Sequence, residues 1–369
     1  MWGISEMKRV IVYGAYGRNN LGDDYMLYYV NEFLKTNNIV PHYLHHGDEY
    51  YFKNINSEYI RYDCPLNKIY KNKIIKVFNI FNWLFKKDEF DAVIFMGGGY
   101  TNENFGLSKL LKIYLLSLKY RKKGVYFTGQ TVGPAYSKIG KLLIKKIYNN
   151  AKTIFTREQS SFNYLNSLGI KNELIGDDAF LGWSPSEKKK AITIVSYKDF
   201  FDYDKFKNIF FDLVLKYARI CNDHIVIIPF SSDERSKEFK LNNELFNKLK
   251  ENDIDCELKF SRDIVAFNEL MKSAKRVISG AYHAVTIGKM YGANALGLYA
   301  GDYYKSKIEG ILNLYESTTN SLDMAQINNV ESVFLKEFID DCNDCYTKSK
   351  EIAANVHKGW RSIVRGINE

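Results

Sequence analysis

The feature that most constrains the fold is an alternation of short apolar segments with amphipathic helical patterns. In the first half, five segments rich in β-branched and aromatic residues predict buried strands at 9–13, 40–44, 92–96, 125–128 and 153–156. Helical patterns lie between them, at 24–35, 108–119 and 138–149. Continuous apolar strands that alternate with helices are typical of sheets covered on both faces. The first half therefore predicts a parallel, doubly wound sheet.

The same alternation begins again after residues 182–190, where glycine, proline, serine and three lysines predict a linker. Further strands are predicted at 191–196, 225–229, 257–260, 276–279 and 295–299. The predicted fold class is α/β, with two Rossmann-like doubly wound parallel-sheet domains that face each other across a cleft. The predicted ranges are 1–182 and 191–331, followed by basic amphipathic helices at 332–369 that pack back over the domain junction. The length of 369 residues agrees with two domains.

Composition excludes several classes of protein. A hydrophobic share of 46% with only 5 prolines indicates a globular chain rather than a disordered one. Apolar runs fall short of the roughly 18–20 residues that span a membrane, and the N-terminus lacks a signal-peptide layout. We therefore expect a cytoplasmic protein. Its 5 scattered cysteines suggest free thiols, including Cys342 and Cys345 of a single C-x-x-C, and no acidic cluster has metal-ligand spacing. We expect no metal and no cofactor.

The net charge of +9 is concentrated in the first half. Residues 104–157 contain 12 Lys or Arg and no Asp or Glu, and residues 68–87 add six lysines among apolar side chains. Such a segment suits an anionic membrane surface, which would make the protein peripheral on the inner face of the cell membrane, or a phosphate-rich substrate. Nucleic acid is not expected, because no nucleic-acid motif accompanies the charge. Solvation of helix faces is the alternative explanation.

Glycine-rich segments follow the first, third and fourth predicted strands. The first, GAYGRNNLGDD, contains Gly22, Asp23 and Asp24 and opens a helix, where backbone amides favour an anion. Its spacing is not that of a dinucleotide-binding loop. The two aspartates can be helix caps, or Asp24 can orient or deprotonate a sugar hydroxyl.

The second glycine segment holds Gly98 and Gly99 and is followed by Asn102; the third holds Gln130. Because the carboxyl ends of parallel strands meet at one edge of a sheet, these segments predict a binding site there. In the second half, His283 differs from the other five histidines. It follows Ser279 in a turn between a predicted strand and a helix, which makes it the candidate for phosphate contact or proton transfer.

The order of these motifs resembles that of the polysaccharide pyruvyl transferase family. The resemblance rests on NLGDD (20–24), GGG with Asn102, GQTVGP (129–134) and TREQSS (156–161), and on a second-half block from Ser279 to His283 that is followed by Lys305 and Lys307. It implies a GT-B-like fold and transfer of pyruvate from phosphoenolpyruvate, as a ketal, onto a sugar or a lipid-linked oligosaccharide. The first domain would then serve the acceptor and the membrane, and the second domain the donor.

The resemblance also suggests anion-binding side chains, which are Arg157, Lys198, Lys305 and Lys307. Ala281 stands where the family motif S-x-R-x-H has arginine, and alanine cannot bind a phosphate or a carboxylate. Lys198 follows a strand that often ends in arginine in the family, and it replaces a planar fork with a point charge. Two other functions therefore stay open: a glycosyltransferase with a nucleotide-sugar donor, and a carbohydrate-binding protein without donor chemistry.

Overall fold

The structure is a computed structural model. It describes residues 7–44, 60–62, 64–66, 68, 73–186, 189–198, 203–231, 233–260, 263–317, 320–327, 332–340 and 345–369. The chain divides into two compact units. Unit 1 comprises Met1–Arg18, Met26–Leu181 and Ala354–Glu369, and unit 2 comprises Asn19–Tyr25 and Gly182–Ala353.

Unit 1 is built on a parallel sheet whose strand order is β3-β2-β1-β4-β6-β7-β8, with β5 paired to the far end of β6. Its strands are β1 (Lys8–Tyr13), β2 (Ile39–Leu44), β3 (Ile60–Tyr62), β4 (Ala92–Phe95), β5 (Gly98–Thr101), β6 (Val125–Val132), β7 (Thr153–Thr156) and β8 (Glu173–Leu174). Its helices are α1 (Leu21–Thr36), whose first turn belongs to unit 2, α2 (Lys73–Phe85), α3 (Leu107–Tyr120), α4 (Lys138–Asn149) and α5 (Gln159–Ser167). Short 3₁₀ turns cover Glu103–Phe105 and Asp178–Gly182.

The core of unit 1 explains why these segments become buried strands. Ile11, Val93, Phe95 and Phe127 come from adjacent strands and belong to one apolar cluster with Trp83 and with residues of α3 and α4. The rings of Phe95 and Phe127 stack with their centroids 4.4 Å apart. Helices α2, α3 and α4 thus pack over one face of the sheet.

Unit 2 contains a second parallel sheet with the strand order β11-β10-β9-β12-β13-β14. Its strands are β9 (Lys190–Ser196), β10 (His224–Ile227), β11 (Cys256–Leu258), β12 (Ala274–Ser279), β13 (Asn294–Tyr299) and β14 (Ser321–Asp323). Its helices are α6 (Tyr203–Ile220), α7 (Lys237–Lys250), α8 (Ile264–Ser273), α9 (Tyr282–Met290), α10 (Asp302–Asn313) and α11 (Ser332–Asp340), while α12 (Tyr346–Asn368) is shared with unit 1. In sequence order this is the 3-2-1-4-5-6 arrangement of a Rossmann sheet.

Both sheets confirm the predicted fold class of two Rossmann-like parallel-sheet domains. Strands β3, β8 and β14 were not predicted, and β6 is longer than its prediction. Strand β6 continues to Val132 instead of ending at Thr128, because Gly98 pairs with Gln130 and Thr101 with Val132. The residues predicted as two glycine loops therefore form a short extra ladder beyond a β-bulge.

The two units differ in two places from the predicted domain ranges 1–182, 191–331 and 332–369. The assignment of those ranges to functional domains stays a prediction. The segment Asn19–Tyr25 belongs to unit 2, because the Leu21 amide donates to the Phe230 carbonyl at 2.9 Å and the Tyr25 hydroxyl bonds to Asn268 at 2.8 Å. The end of α12 belongs to unit 1, because Trp360 is buried there and bonds to Asp178. Cys342 and residues 69–72 of the basic segment lie outside the described residues.

Candidate functional site

The carboxyl ends of β9 and β12 lie side by side at the point where the strand order of unit 2 reverses. Open α/β sheets bind ligands at such a switch point. Ser196 and Ser279 pair in register at this edge, and Ser279 Oγ donates to the Ser196 carbonyl and accepts from the Ala281 amide, both at 2.9 Å. Ser279 therefore fixes the turn into α9. Ser196 Oγ is buried and has no hydrogen-bond partner among the described residues.

The start of α1 lies at the same edge of unit 2. Asn20 Oδ1 accepts hydrogen bonds from the amides of Gly22 and Asp23 at 3.0 and 3.3 Å, which is the pattern of an N-cap. Asn20 also forms an isolated β-bridge with Ser231. The sequence NLGDD thus begins a helix whose first turn is attached to the second sheet.

Gly22 and His283 are in direct contact. A Cβ added at Gly22 would overlap the His283 ring and its Cβ, so only glycine fits at this position without a shift. His283 is 7% exposed, and its ring meets that of Tyr282 edge-on with centroids 5.1 Å apart. The structure therefore brings together two predicted site residues from opposite ends of the sequence.

Lys198 forms an ion pair with Glu238, in which Nζ lies 2.6 Å from Oε2. Glu238 is buried and also accepts from the Ser231 amide at 2.8 Å. Burial lowers the pKa of Lys198, but the charges of Glu238, Tyr304 and Asp23 outweigh it and leave the pKa above its usual value. Lys198 is therefore a fixed cation close to the first turn of α1.

The two adjacent aspartates are not equivalent. Asp24 is 2% exposed, whereas Asp23 is partly exposed and acts electrostatically on Lys198. The sequence favoured Asp24 as the catalytic carboxylate. The geometry gives Asp23 the more accessible position beside the cation.

The two lysines of α10 are also distinct. Lys307 Nζ lies 5.0 Å from the ring centroid of Tyr282 and 5.3 Å from that of Tyr303, within cation–π range. Tyr282 is the neighbour of His283, so Lys307 lies at the margin of this cluster. Lys305 is exposed on the same helix. Ala281 caps α9 without a side-chain hydrogen bond and brings no charge to the turn.

A second arrangement of predicted residues lies within unit 1, beneath its glycine-rich edge. Asp178 accepts hydrogen bonds from the Gly97 amide at 2.6 Å, Thr128 Oγ1 at 2.5 Å and Trp360 Nε1 at 2.9 Å. Burial and the neighbouring Asp177 raise the pKa of Asp178 to about 6, although its three hydrogen-bond donors lower it. Asp178 begins the short 3₁₀ turn at Asp178–Gly182, and its carboxylate links this turn to the residue after β4, to β6 and to α12.

Gln130 and Asn102 are fully buried and bond to the backbone of the same edge. Gln130 Nε2 donates to the carbonyls of Met96 and Thr128, both at 2.9 Å. Asn102 Nδ2 donates to the Gly99 carbonyl at 2.5 Å, and its buried Oδ1 has no hydrogen-bond partner among the described residues. Gly98 has a φ of 149°, which favours glycine. These hydrogen bonds fix the backbone at this edge. Of the two amide oxygens, Gln130 Oε1 has hydrogen-bond donors and Asn102 Oδ1 has none among the described residues.

Arg157, which was predicted to bind an anion, is buried in an ion-pair network of unit 1. Its guanidinium lies 2.7 Å from Asp177 Oδ2 and 3.2 Å from Glu158 Oε2, and it donates to Thr131 at 2.7 Å. Protein carboxylates thus lie on two sides of this guanidinium, and the role of Arg157 in binding an anion stays a prediction.

Sequence reasoning missed Glu238, Asp178 and Trp360. Glu238 follows the N-cap Ser236 in the first turn of α7, where an acidic residue looks like an ordinary solvated helix start. The signal for Asp178 was its position between β8 and a strongly apolar run. Within the described ranges, no three His, Cys, Asp or Glu side chains are grouped so that they could hold a metal ion.

Comparison with known proteins gives a family and a fold. Residues 20–301 match the family model of the polysaccharide pyruvyl transferases. No curated protein is similar in sequence. Among solved structures, the UDP-GlcNAc 2-epimerase from Methanocaldococcus jannaschii has a TM-score of 0.58 at 13% identity, over 95% of this chain and 99% of the epimerase.

MurG from Acinetobacter baumannii has a TM-score of 0.54 at 12% identity, over 96% of this chain and 98% of MurG. The UDP-N-acetylglucosamine 2-epimerase from Rickettsia bellii has a TM-score of 0.54 at 13% identity, over 98% of both chains. These likenesses concern the fold alone, and they confirm the GT-B-like class.

Proposed function

Since the chain belongs to the polysaccharide pyruvyl transferase family, we propose that it transfers pyruvate from phosphoenolpyruvate, as a ketal, onto a sugar of a bacterial surface polysaccharide. Membership of the family implies a sugar acceptor and a pyruvate donor. The observation that carries the finer proposal is the cluster of Asp23, Lys198 and His283 around Gly22 at the switch point of unit 2.

The reaction requires an acid, a base and cations. A proton adds to the methylene carbon of phosphoenolpyruvate, and a sugar hydroxyl attacks the adjacent carbon as it becomes electron-poor. Inorganic phosphate leaves with the proton of the second hydroxyl, whose oxygen closes the ketal. The atoms balance without a metal, an oxidant or a further cofactor, so phosphoenolpyruvate acts as a co-substrate.

The residues of unit 2 fit these roles. His283 donates the proton or contacts the phosphate, because imidazole exchanges protons near neutral pH. Lys198 attracts the anionic donor, with Lys307 and Lys305 on α10 as further cations. Asp23 or Asp24 accepts the proton of the sugar hydroxyl. Ser279 supports the turn that positions His283.

The acceptor in this proposal is attached to a polyprenyl diphosphate, and the protein acts peripherally on the inner face of the cell membrane. Support comes from the excess of cations in unit 1, where residues 104–157 carry 12 Lys or Arg and no acid. None of the helices among the described residues is both long and apolar enough to cross a bilayer.

Phosphoenolpyruvate binding tests the proposal, measured by calorimetry and by thermal shift. A ligand at about tenfold its Kd raises the free energy of unfolding by about 1.4 kcal/mol. We expect binding to wild type, loss in His283→Ala, and wild-type binding in His224→Ala. The control histidine also belongs to unit 2, where it pairs with Asp255. Acceptor-dependent release of inorganic phosphate then reports the chemistry. A wild type that does not bind phosphoenolpyruvate contradicts the proposal.

A glycosyltransferase with a nucleotide-sugar donor is the second candidate. Ala281 favours it, because the turn before α9 lacks the cation that a small, highly charged donor needs. The solved structures of similar fold include an epimerase in complex with UDP-GlcNAc and UDP. A thermal shift with UDP-GlcNAc, and none with phosphoenolpyruvate, would decide for this alternative.

A further inference from the structure

Helix α2 of unit 1 carries its apolar side chains on the outside. Ile74, Val77, Phe78, Phe81 and Phe85, here called the apolar stripe, are all exposed, with Ile74 at 78% and Phe85 at 75%. Their spacing of three and four residues places them within a stripe about 100° wide on a helix of 3.6 residues per turn. A surface helix of a soluble protein normally turns such a stripe towards the core.

The opposite side of α2 is anchored, which fixes the stripe outward. Trp83 is buried and donates from Nε1 to the Tyr62 hydroxyl at 2.9 Å. Lys119 of α3 donates to the carbonyls of Trp83 and Lys86 at 2.7 Å each and so caps the carboxyl end of α2. Helix α2 is therefore packed on unit 1 through the side of Trp83, and its apolar stripe lies on the opposite, exposed side.

The surface next to the stripe is apolar and cationic. Helix α3 contacts both α2 and α4, so the three helices form one layer. Leu111 of α3 and Ile139 and Leu142 of α4 are exposed on it. Lys138 and Lys141 are exposed on α4. The three helices contain no acidic residue.

We infer that the apolar stripe of α2, with the lysine-bearing outer faces of α3 and α4, docks onto an anionic phospholipid bilayer. Aromatic side chains enter the boundary between headgroups and acyl chains, while the lysines contact lipid phosphates. Partial burial lowers the pKa of Lys112, and the charges of Lys76 and Arg18 lower it further. The cations of this surface therefore repel one another, and bound anions would reduce that repulsion. This inference deepens the proposed function, because a polyprenyl-linked acceptor lies in that bilayer.

A second copy of the chain fits this surface less well. A two-fold contact places the same patch on both partners, so the lysine-rich surroundings of the two stripes would face each other. Like charges at an interface are costly without intervening acids. An anionic bilayer supplies both the apolar layer and the balancing charge.

Vesicle flotation tests the inference with the full chain. We expect wild type to bind vesicles that contain phosphatidylglycerol at least tenfold more strongly than pure phosphatidylcholine vesicles, and to lose binding in high salt. Phe78→Gln/Phe81→Gln should reduce binding tenfold or more. Ile220→Gln/Val265→Gln is the matched control, since both residues are exposed apolar side chains of unit 2.

Charge is tested separately. Lys138→Gln/Lys141→Gln should weaken binding about fivefold per lysine, and Lys240→Gln/Lys275→Gln of unit 2 should not change it. The apolar-stripe variant should keep wild-type activity on a water-soluble acceptor, which separates this inference from the proposed chemistry.

Two results would overturn the inference. One is a wild type that binds no anionic vesicle; if that wild type is a dimer and the stripe variant is a monomer, the stripe is instead a contact between two copies of the chain. The other is undiminished vesicle binding by the stripe variant.

Discussion

The hydrogen bond from Trp360 Nε1 to Asp178 offers a sharp test of how unit 1 is held together. We consider Trp360→Phe, which removes the donor at 2.9 Å and keeps an aromatic ring at a fully buried position. The acceptor titrates near neutral pH, because the pKa of Asp178 is raised from 3.8 to about 6. The cost of the substitution should therefore depend on pH.

The sign follows from linkage. A carboxyl group with a raised pKa binds its proton more tightly in the folded state, so stability falls as pH rises from about 4 to about 6. For wild type, this decrease amounts to about 3 kcal/mol from Asp178 alone. Above pH 6 the carboxylate is ionised, and its three donors limit the penalty.

The magnitude for the variant comes from the charge of the acceptor. A hydrogen bond to a charged group contributes about 1.5–3 kcal/mol, and one to a neutral group about 0.5–1.5 kcal/mol. Trp360→Phe should therefore destabilise by about 1 kcal/mol more at about pH 7.5 than at about pH 5, on top of the loss of ring volume, which is the same at both.

Urea denaturation followed by circular dichroism at the two pH values measures this difference. Trp83→Phe is the matched control, since Trp83 Nε1 donates to the neutral Tyr62 hydroxyl, also at 2.9 Å. Its cost should be the same at both pH values. Equal costs at the two pH values for Trp360→Phe would refute the argument that Asp178 is ionised at neutral pH and relies on this donor.

Three further predictions concern the other contacts. Gly22→Ala should lower kcat/KM at least tenfold and destabilise by about 1–3 kcal/mol in thermal unfolding, because its Cβ would overlap His283. Arg157→Met should lower the free energy of unfolding by about 3–5 kcal/mol, because it removes the ion pair that Asp177 makes with Arg157, and Arg157→Met/Asp177→Leu should recover much of this loss. An increased KM for Arg157→Met without a loss of stability would instead support a role in binding an anion. Lys198→Met should weaken phosphoenolpyruvate binding in calorimetry by tenfold or more, whereas Lys198→Arg should retain part of it.

The strands that sequence predicted best are those whose apolar character is continuous. Ala92–Phe95 and Thr153–Thr156 are buried on both faces of their sheet, so their composition alone indicates a parallel sheet. The ladder between β5 and β6 was missed, because Gly98 and Gly99 carry no side chain from which a strand could be recognised. Its pairing depends on tertiary contacts, including the buried amide of Gln130.

The candidate site was partly predictable for a topological reason. Gly22 and His283 were each identified as following a strand or opening a helix, and switch-point logic brings such positions together. Glu238 was not predictable, because nothing in its local sequence distinguishes a buried partner of Lys198 from a solvated helix residue. The orientation of α2 was equally hidden, since its period reveals a stripe but not which side faces the core.

The charge balance of unit 2 limits what its switch point can hold. Lys198 is largely neutralised by Glu238 and Asp23, and Ala281 adds nothing. If the proposed function holds, the negative charges of phosphoenolpyruvate require further partners, for which Lys305 and Lys307 of α10 and the imidazole of His283 are the candidates. An imidazole that gains its proton together with the donor would be both the anion partner and the acid that the methylene carbon requires. If the proposed function holds, Ala281 therefore leaves more of the donor chemistry to His283, and the binding of phosphoenolpyruvate to His283→Ala measures that share.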